Sequence, residues 1–150
     1  MSDLGEYQNE PGKGSCKQCS ENTKSENVSS THCTSCGVGE KSIPGSAKCQ
    51  PCIAGEAGTG RNGTCASCSV GKYRTSEMNA DDCESCGLGR YQDQQGQATC
   101  FPCIPGFFAS DLGAAACREC SKNTFVGEKA YDKECTECPI GFATKKTGSA

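Results

Sequence analysis

The sequence predicts a small disulfide-rich fold: an elongated array of short β-hairpin repeats of about 17 residues, with little helix and little hydrophobic core. Three observations predict it. All 16 cysteines of the 150-residue chain fall into C-x-x-C pairs. The pairs recur at almost constant spacing. And Leu, Ile, Val and Phe together number only 16, with no Trp and a mean hydropathy of -0.59. A chain so poor in apolar residues is either disordered or held by something other than burial, and its cysteine content exceeds the roughly 8–10% that marks a cross-linked scaffold.

The pairs are Cys16/Cys19, Cys33/Cys36, Cys49/Cys52, Cys65/Cys68, Cys83/Cys86, Cys100/Cys103, Cys117/Cys120 and Cys135/Cys138, starting 17, 16, 16, 18, 17, 17 and 18 residues apart. Regularity of this kind is the signature of a repeat architecture. Three residues after the second cysteine comes Gly39, Gly55, Gly71, Gly89, Gly106 or Gly141, and in the two remaining units Asn22 or Asn123. Gly adopts positive φ without strain and Asn is its commonest substitute, so the eight positions are expected to share a left-handed turn. Two residues further on lie Tyr73, Tyr91, Phe108 and Phe125. Aromatics at a fixed offset from a disulfide suit a packing role over the sulfurs; the other reading is an exposed binding stripe.

A longer period is superimposed on the short one. The residue after each pair runs Ser20, Gly37, Ile53, Ser69, Gly87, Ile104, Ser121, Pro139, and Pro51 and Pro102 recur inside every third pair. The larger unit thus holds three pairs. Its boundaries divide the chain into a tail of a preceding repeat (1–15), cysteine-rich unit 1 (16–64), unit 2 (65–116) and a partial unit 3 (117–150). Gly5 to Cys19 has the spacing of Gly89 to Cys103, so position 2, where a cysteine is expected, holds Ser2. Residues 148–150 repeat Gly45-Ser46-Ala47, which lead to Cys49. The expectation is a segment of a longer repeat protein with Met1 an arbitrary first residue.

Three chemistries compete for the cysteines. Successive C-x-x-C motifs at this spacing suit four-thiolate zinc sites, which would make the chain an intracellular multi-zinc protein. Zinc knuckles would alternate and give a two-pair period, whereas the period here is three pairs. A thioredoxin-type redox motif needs a strand–helix context to lower a thiol pKa, and the Gly-, Asn-, Ser- and Pro-rich surroundings leave none. Disulfides suit both the composition and the missing core. The simplest scheme is a ladder: Cys19–Cys33, Cys36–Cys49, Cys52–Cys65, Cys68–Cys83, Cys86–Cys100, Cys103–Cys117 and Cys120–Cys135, with Cys16 and Cys138 unpaired within the segment. Each rung closes a short loop, worth roughly 3 kcal/mol in the loop-entropy treatment. The rival scheme crosses neighbouring pairs, Cys16–Cys33 with Cys19–Cys36 and so on, and uses all 16. Connectivity stays open at this level; the ladder is favoured because its loops cost least to close.

The pattern C-x-x-C-x-x-G-x-[YF]…G-x-x-x-C-x-x-C, best seen from Cys83 to Phe108, resembles the ephrin-receptor-like cysteine-rich repeats, relatives of the growth-factor-like and tumour necrosis factor receptor-like modules. Asn22 and Asn123 depart from it. The resemblance implies an extracellular or cell-surface, elongated, non-enzymatic array of hairpins, and no particular ligand. Calcium-binding versions of such modules carry an acidic signature before the first cysteine. Asp81-Asp82 is a faint echo of it and reads better as a solvated turn.

Little other chemistry is visible. His32 has no partner motif, and no nucleophile elbow, phosphate loop or paired catalytic carboxylates can be found, so no enzyme and no cofactor are expected. The net charge of -3, with Lys and Arg scattered singly, offers no footprint for nucleic acid or an anionic membrane. Asn27-Val28-Ser29 and Asn62-Gly63-Thr64 are candidate N-glycosylation sequons lying between pairs. The function expected is a spacer, fibre component or scaffold whose partners are other extracellular proteins, further copies of itself or N-linked glycans. The alternatives are a receptor-type protein-binding module and the zinc protein.

Overall fold

A computed structural model describes residues 2–126, 134–144 and 147–148. Among them there is no helix, and so none long and apolar enough to cross a membrane. The described residues form eight two-stranded ribbons, each pairing consecutive strands. Hairpin 1 joins β1 (Glu6–Tyr7) to β2 (Lys17–Gln18), hairpin 2 joins β3 (Thr23–Lys24) to β4 (Thr34–Ser35), and hairpin 3 joins β5 (Glu40–Lys41) to β6 (Gln50–Pro51). Hairpins 4, 5 and 6 are β7 (Glu56–Gly58) with β8 (Cys65–Ser67), β9 (Lys72–Tyr73) with β10 (Glu84–Ser85), and β11 (Arg90–Tyr91) with β12 (Phe101–Pro102). Hairpins 7 and 8 are β13 (Phe107–Phe108) with β14 (Arg118–Glu119), and β15 (Thr124–Phe125) with β16 (Thr136–Glu137).

The register explains the motif. Lys72 pairs with Ser85 and Tyr73 with Glu84; Arg90 pairs with Pro102 and Tyr91 with Phe101. The two residues inside each C-x-x-C are therefore the return strand of a hairpin, and the two cysteines flank it. Successive strand residues point to opposite faces, so residues three apart diverge. The two sulfurs of a pair cannot readily meet each other, and each bonds the neighbouring pair instead. Pro51 and Pro102 are tolerated in the return strand because every strand of a two-stranded ribbon is an edge and can dispense with a donor.

Each hairpin begins with a tight turn. Its closing hydrogen bond runs from the first strand residue back three positions, as in Glu6 N–H to Asp3 C=O (3.1 Å) and Arg90 N–H to Gly87 C=O (3.1 Å). The third turn residue has positive φ at all eight of the positions singled out from sequence, from +61° at Asn22 and +64° at Asn123 to +93° at Gly141. That is the type II requirement, which Gly and Asn meet. Pro105 sits at the second turn position, where its fixed φ is an advantage. The next paired cysteine then closes the module, as when Cys86 N–H donates to Gly71 C=O (2.8 Å) and Cys103 N–H to Gly89 C=O (2.9 Å).

By packing, the chain falls into two units, Met1–Ala66 with Ser76–Asp82, and Ser67–Thr75 with Cys83–Ala150. Inside each unit, neighbouring hairpins are joined through backbone groups. In the first, Gly5 N–H donates to Ser25 C=O (2.9 Å), Asn22 N–H to Ser42 C=O (3.0 Å) and Gly45 N–H to Cys19 C=O (2.8 Å). In the second, Gly71 N–H donates to Gln92 C=O (2.7 Å), Gly89 N–H to Ala109 C=O (2.9 Å) and Gly113 N–H to Cys86 C=O (2.8 Å).

Alternate hairpins also touch. A Cβ built on Gly5 would fall 2.0 Å from the Gly45 carbonyl oxygen, and one on Gly71 would fall 2.0 Å from that of Gly113. One on Gly63 would fall 2.5 Å from the Asn22 Cβ. In the first unit the hairpins therefore stack in two columns, odd on odd and even on even, and in the second hairpin 5 stacks on hairpin 7.

The core of each unit is built of sulfur and small groups. The second cysteine of each pair from Cys19 to Cys120 is buried, several at 0% exposure, beside Ala57, Ala109 and Val126.

Candidate functional site

Seven disulfides join consecutive cysteine pairs: Cys19–Cys33, Cys36–Cys49, Cys52–Cys65, Cys68–Cys83, Cys86–Cys100, Cys103–Cys117 and Cys120–Cys135. Their sequence separations are 13 to 15 residues and their Cα–Cα distances 5.7–5.8 Å. This is the ladder and not the crossed scheme. The physical reason is the return strand, which aims the two cysteines of a pair at different neighbours. The same divergence removes the four-thiolate zinc arrangement, since fourteen sulfurs are bonded in disulfides. Among the described residues no group of three or more His, Cys, Asp or Glu is placed to hold a metal ion.

Cys16 and Cys138 carry free thiols, each half-buried. Ser2 occupies the slot that its register gives to a second cysteine. It is 3% exposed, like its sulfur counterparts, and its hydroxyl hydrogen-bonds Cys16 Sγ. Its carbonyl accepts the Ser29 N–H (2.9 Å), as the Cys19 carbonyl accepts that of Gly45. The position is a rung lacking one sulfur.

Tyr73, Tyr91, Phe108 and Phe125 stand half-buried on the first strands, each opposite the residue that follows a cysteine. Tyr91 and Phe101 form a tilted ring pair with centroids 6.2 Å apart, and Phe101 is 49% exposed. His32 is exposed, with Nδ1 3.2 Å from Thr31 Oγ1. Asp81 is tied into a local turn: its N–H donates to Asn79 Oδ1 and its carboxylate accepts from Asn79 Nδ2, both at 3.2 Å. Both sequon asparagines are exposed.

Sequence reasoning missed one column. The residue three beyond the turn Gly or Asn is buried at Ser25, Ser42, Arg74, Gln92, Ala109 and Val126. Its chemistry varies from position to position, so no pattern betrayed it. At Ser25, Ser42, Gln92 and Ala109 the shared role lies in the main chain, whose carbonyl accepts the preceding hairpin's turn N–H. Arg74 is 1% exposed and its Nη1 donates to Thr75 C=O (3.1 Å). Gln92 is fully buried: Nε2 donates to Thr99 C=O (2.7 Å) and Oε1 accepts the Gln94 N–H (3.0 Å), bracing the loop of hairpin 6. Among the described residues no buried side-chain nitrogen or oxygen lacks a partner, as buried polar groups require.

Two open clefts lie on the first unit. One of 730 Å³ is lined by Glu21, Lys41, Ile43, Ala47 and Lys48 among others. The other, of 490 Å³, follows the loop of hairpin 2 past Asn27 and His32. In the latter, Lys24 Nζ donates to Glu26 at 2.8 Å; this bond lowers the Glu26 pKa and raises that of Lys24. Both groups are on the surface, so the pair is a solvated contact of small energetic value.

Ribbons too short to stand alone, with a disulfide in each of hairpins 2 to 8, define the class: a cysteine-rich module of the kind built for oxidising surroundings. The profile of the family described as tyrosine-protein kinase ephrin type A/B receptor-like matches twice, over residues 75–116 and 106–150. Together the matches take in half of the chain, and the protein belongs to this ephrin-receptor-like family. Each match spans two C-x-x-C pairs and the turn glycine or asparagine after them. No curated protein matches the chain.

Proposed function

We propose that the chain is a non-catalytic extracellular scaffold: a spacer, fibre or surface-array segment. The observation that carries this reading is the way hairpins are joined. Neighbours are linked by main-chain hydrogen bonds and by disulfides of short separation, so side chains are left free to vary and units can be added in series. Its partners are other extracellular proteins or further copies of itself.

A second reading, a receptor-type binding module, is favoured by the Tyr91–Phe101 pair with its half-exposed Phe101, since exposed aromatics are enriched at interfaces. Solution scattering and a surface scan separate the two. A spacer should have a radius of gyration well above the ~15 Å of a compact globule of this length, and should tolerate Phe101→Ser without loss of assembly or anchoring. A globular radius would sink the spacer, and loss of partner capture on Phe101→Ser, with disulfides intact, would establish the binding module.

A further inference from the structure

Asn27 and Asn62 differ from Asn9, Asn22 and Asn79, whose side chains are engaged within the fold. Asn9 Oδ1 accepts from Lys17, Asn22 Oδ1 from the Ser42 N–H, and the Asn79 side chain bonds Asp81. The Asn27 and Asn62 side chains are exposed, and neither amide makes a hydrogen bond among the described residues. The hydrogen bonds there belong to the backbone around them. The Asn27 carbonyl accepts from Ser25 Oγ (3.2 Å) and Ser30 Oγ (2.7 Å). The Arg61 carbonyl accepts from Thr64 Oγ1 (3.0 Å), and Gly63 N–H donates to Gly37 C=O (3.0 Å). Each sequon also contains a positive-φ residue of its loop, Ser29 at +60° and Gly63 at +73°. The loop is thus held from inside while the amide points to solvent.

Position adds a second observation. Asn27 lies on the loop of hairpin 2 and Asn62 on that of hairpin 4, and these are successive members of one column, in contact through Gly63 and Asn22. Hairpins 1 and 3, in the other column of the same unit, carry no sequon, and neither does any residue from 67 onward.

We propose that Asn27 and Asn62 both carry N-linked glycans, which sheathe the even column of the first unit and leave the odd column bare. The reaction is a group transfer. The Asn side-chain nitrogen bonds the anomeric carbon of a lipid-diphosphate-linked oligosaccharide, the carbon–oxygen bond to the diphosphate breaks, and the amide loses one proton to the transferase's base. Two bulky solvated groups on one edge confine protein contacts to the other.

The proposal rests on the extracellular reading, and the test separates them. The full chain is expressed behind a secretory leader in eukaryotic cells, then treated with peptide:N-glycosidase in oxygen-18 water. Both Asn27 and Asn62 should convert to labelled Asp. Asn27→Gln and Ser29→Ala should each remove one glycan, Asn62→Gln and Thr64→Ala the other, with all seven disulfides retained. Secreted, fully bridged protein without label at either site would overturn the proposal and leave the extracellular reading intact. Label at one site alone would overturn the paired sheath. A retained chain with unbonded thiols would overturn both readings.

Discussion

At the scale of single residues, close approach of backbone separates glycines that share a conformation. Gly12 and Gly71 have φ of +79° and +76°. A Cβ on Gly12 meets nothing within 4 Å, whereas one on Gly71 strikes the Gly113 carbonyl. Gly12→Ala should then cost only the left-handed penalty, about 1–2 kcal/mol, while Gly71→Ala adds displacement of a neighbouring backbone and should exceed roughly 3 kcal/mol. Thermal unfolding of the two oxidised variants measures the gap; equal losses would mean that the alternate hairpins are not in contact. Ser2 gives a second prediction at this scale. Ser2→Cys should complete a rung with Cys16, lowering the free-thiol count from two to one and raising the melting temperature. A count of three free thiols would show that Ser2 does not occupy the cysteine slot. The turn glycines and the vacancy at Ser2 were legible from spacing alone, because a fixed offset from a cysteine is preserved in the chain. The buried positions at Arg74 and Gln92 were not, because the residue types at the equivalent places, Ser25, Ser42, Ala109 and Val126 among them, share no pattern.

At the scale of the element, a two-residue strand has too few ladder bonds to hold its partner, and isolated ribbons are marginal even when longer. The disulfide therefore sets the stability of each of hairpins 2 to 8. Cys103→Ser with Cys117→Ser should cost roughly 3 kcal/mol. The loss should be local: limited proteolysis should open residues 109–116, while the loop of hairpin 3 stays protected by Cys36–Cys49. Cleavage spreading at once to all loops would mean that the hairpins fold as one cooperative block. The short strands also answer the edge problem, since two residues offer too little unpaired backbone to template aggregation. Hairpins of about the right period could be read from the sequence, but their register could not. That the two residues inside C-x-x-C form the return strand emerges only when Glu84 and Ser85 are seen opposite Tyr73 and Lys72.

At the scale of the whole molecule, the buried apolar groups among the described residues are cysteines, two alanines and one valine, far short of an ordinary core. Full reduction and alkylation should abolish any cooperative thermal transition, read by calorimetry; a surviving transition would show that burial and main-chain bonds suffice without the rungs. Unreduced peptide mapping should find the seven rungs with Cys16 and Cys138 alkylated before reduction. A Cys16-to-Cys33 peptide would contradict the ladder.

The spacing of sixteen cysteines determined the repeat, the left-handed turns at Gly or Asn, and the need for cross-links in a chain with so few apolar residues. Those are local or compositional properties, and a linear sequence carries them directly. Which sulfur bonds which was decided by the pleat of the return strand, which turns Cys83 and Cys86 toward different neighbours. The pairing of alternate hairpins, the burial of Arg74 and the placing of Asn27 and Asn62 on one column were decided by contacts between backbones tens of residues apart. Such contacts leave no side-chain signature except where, as at Gly71 against Gly113, only the absence of a side chain permits them.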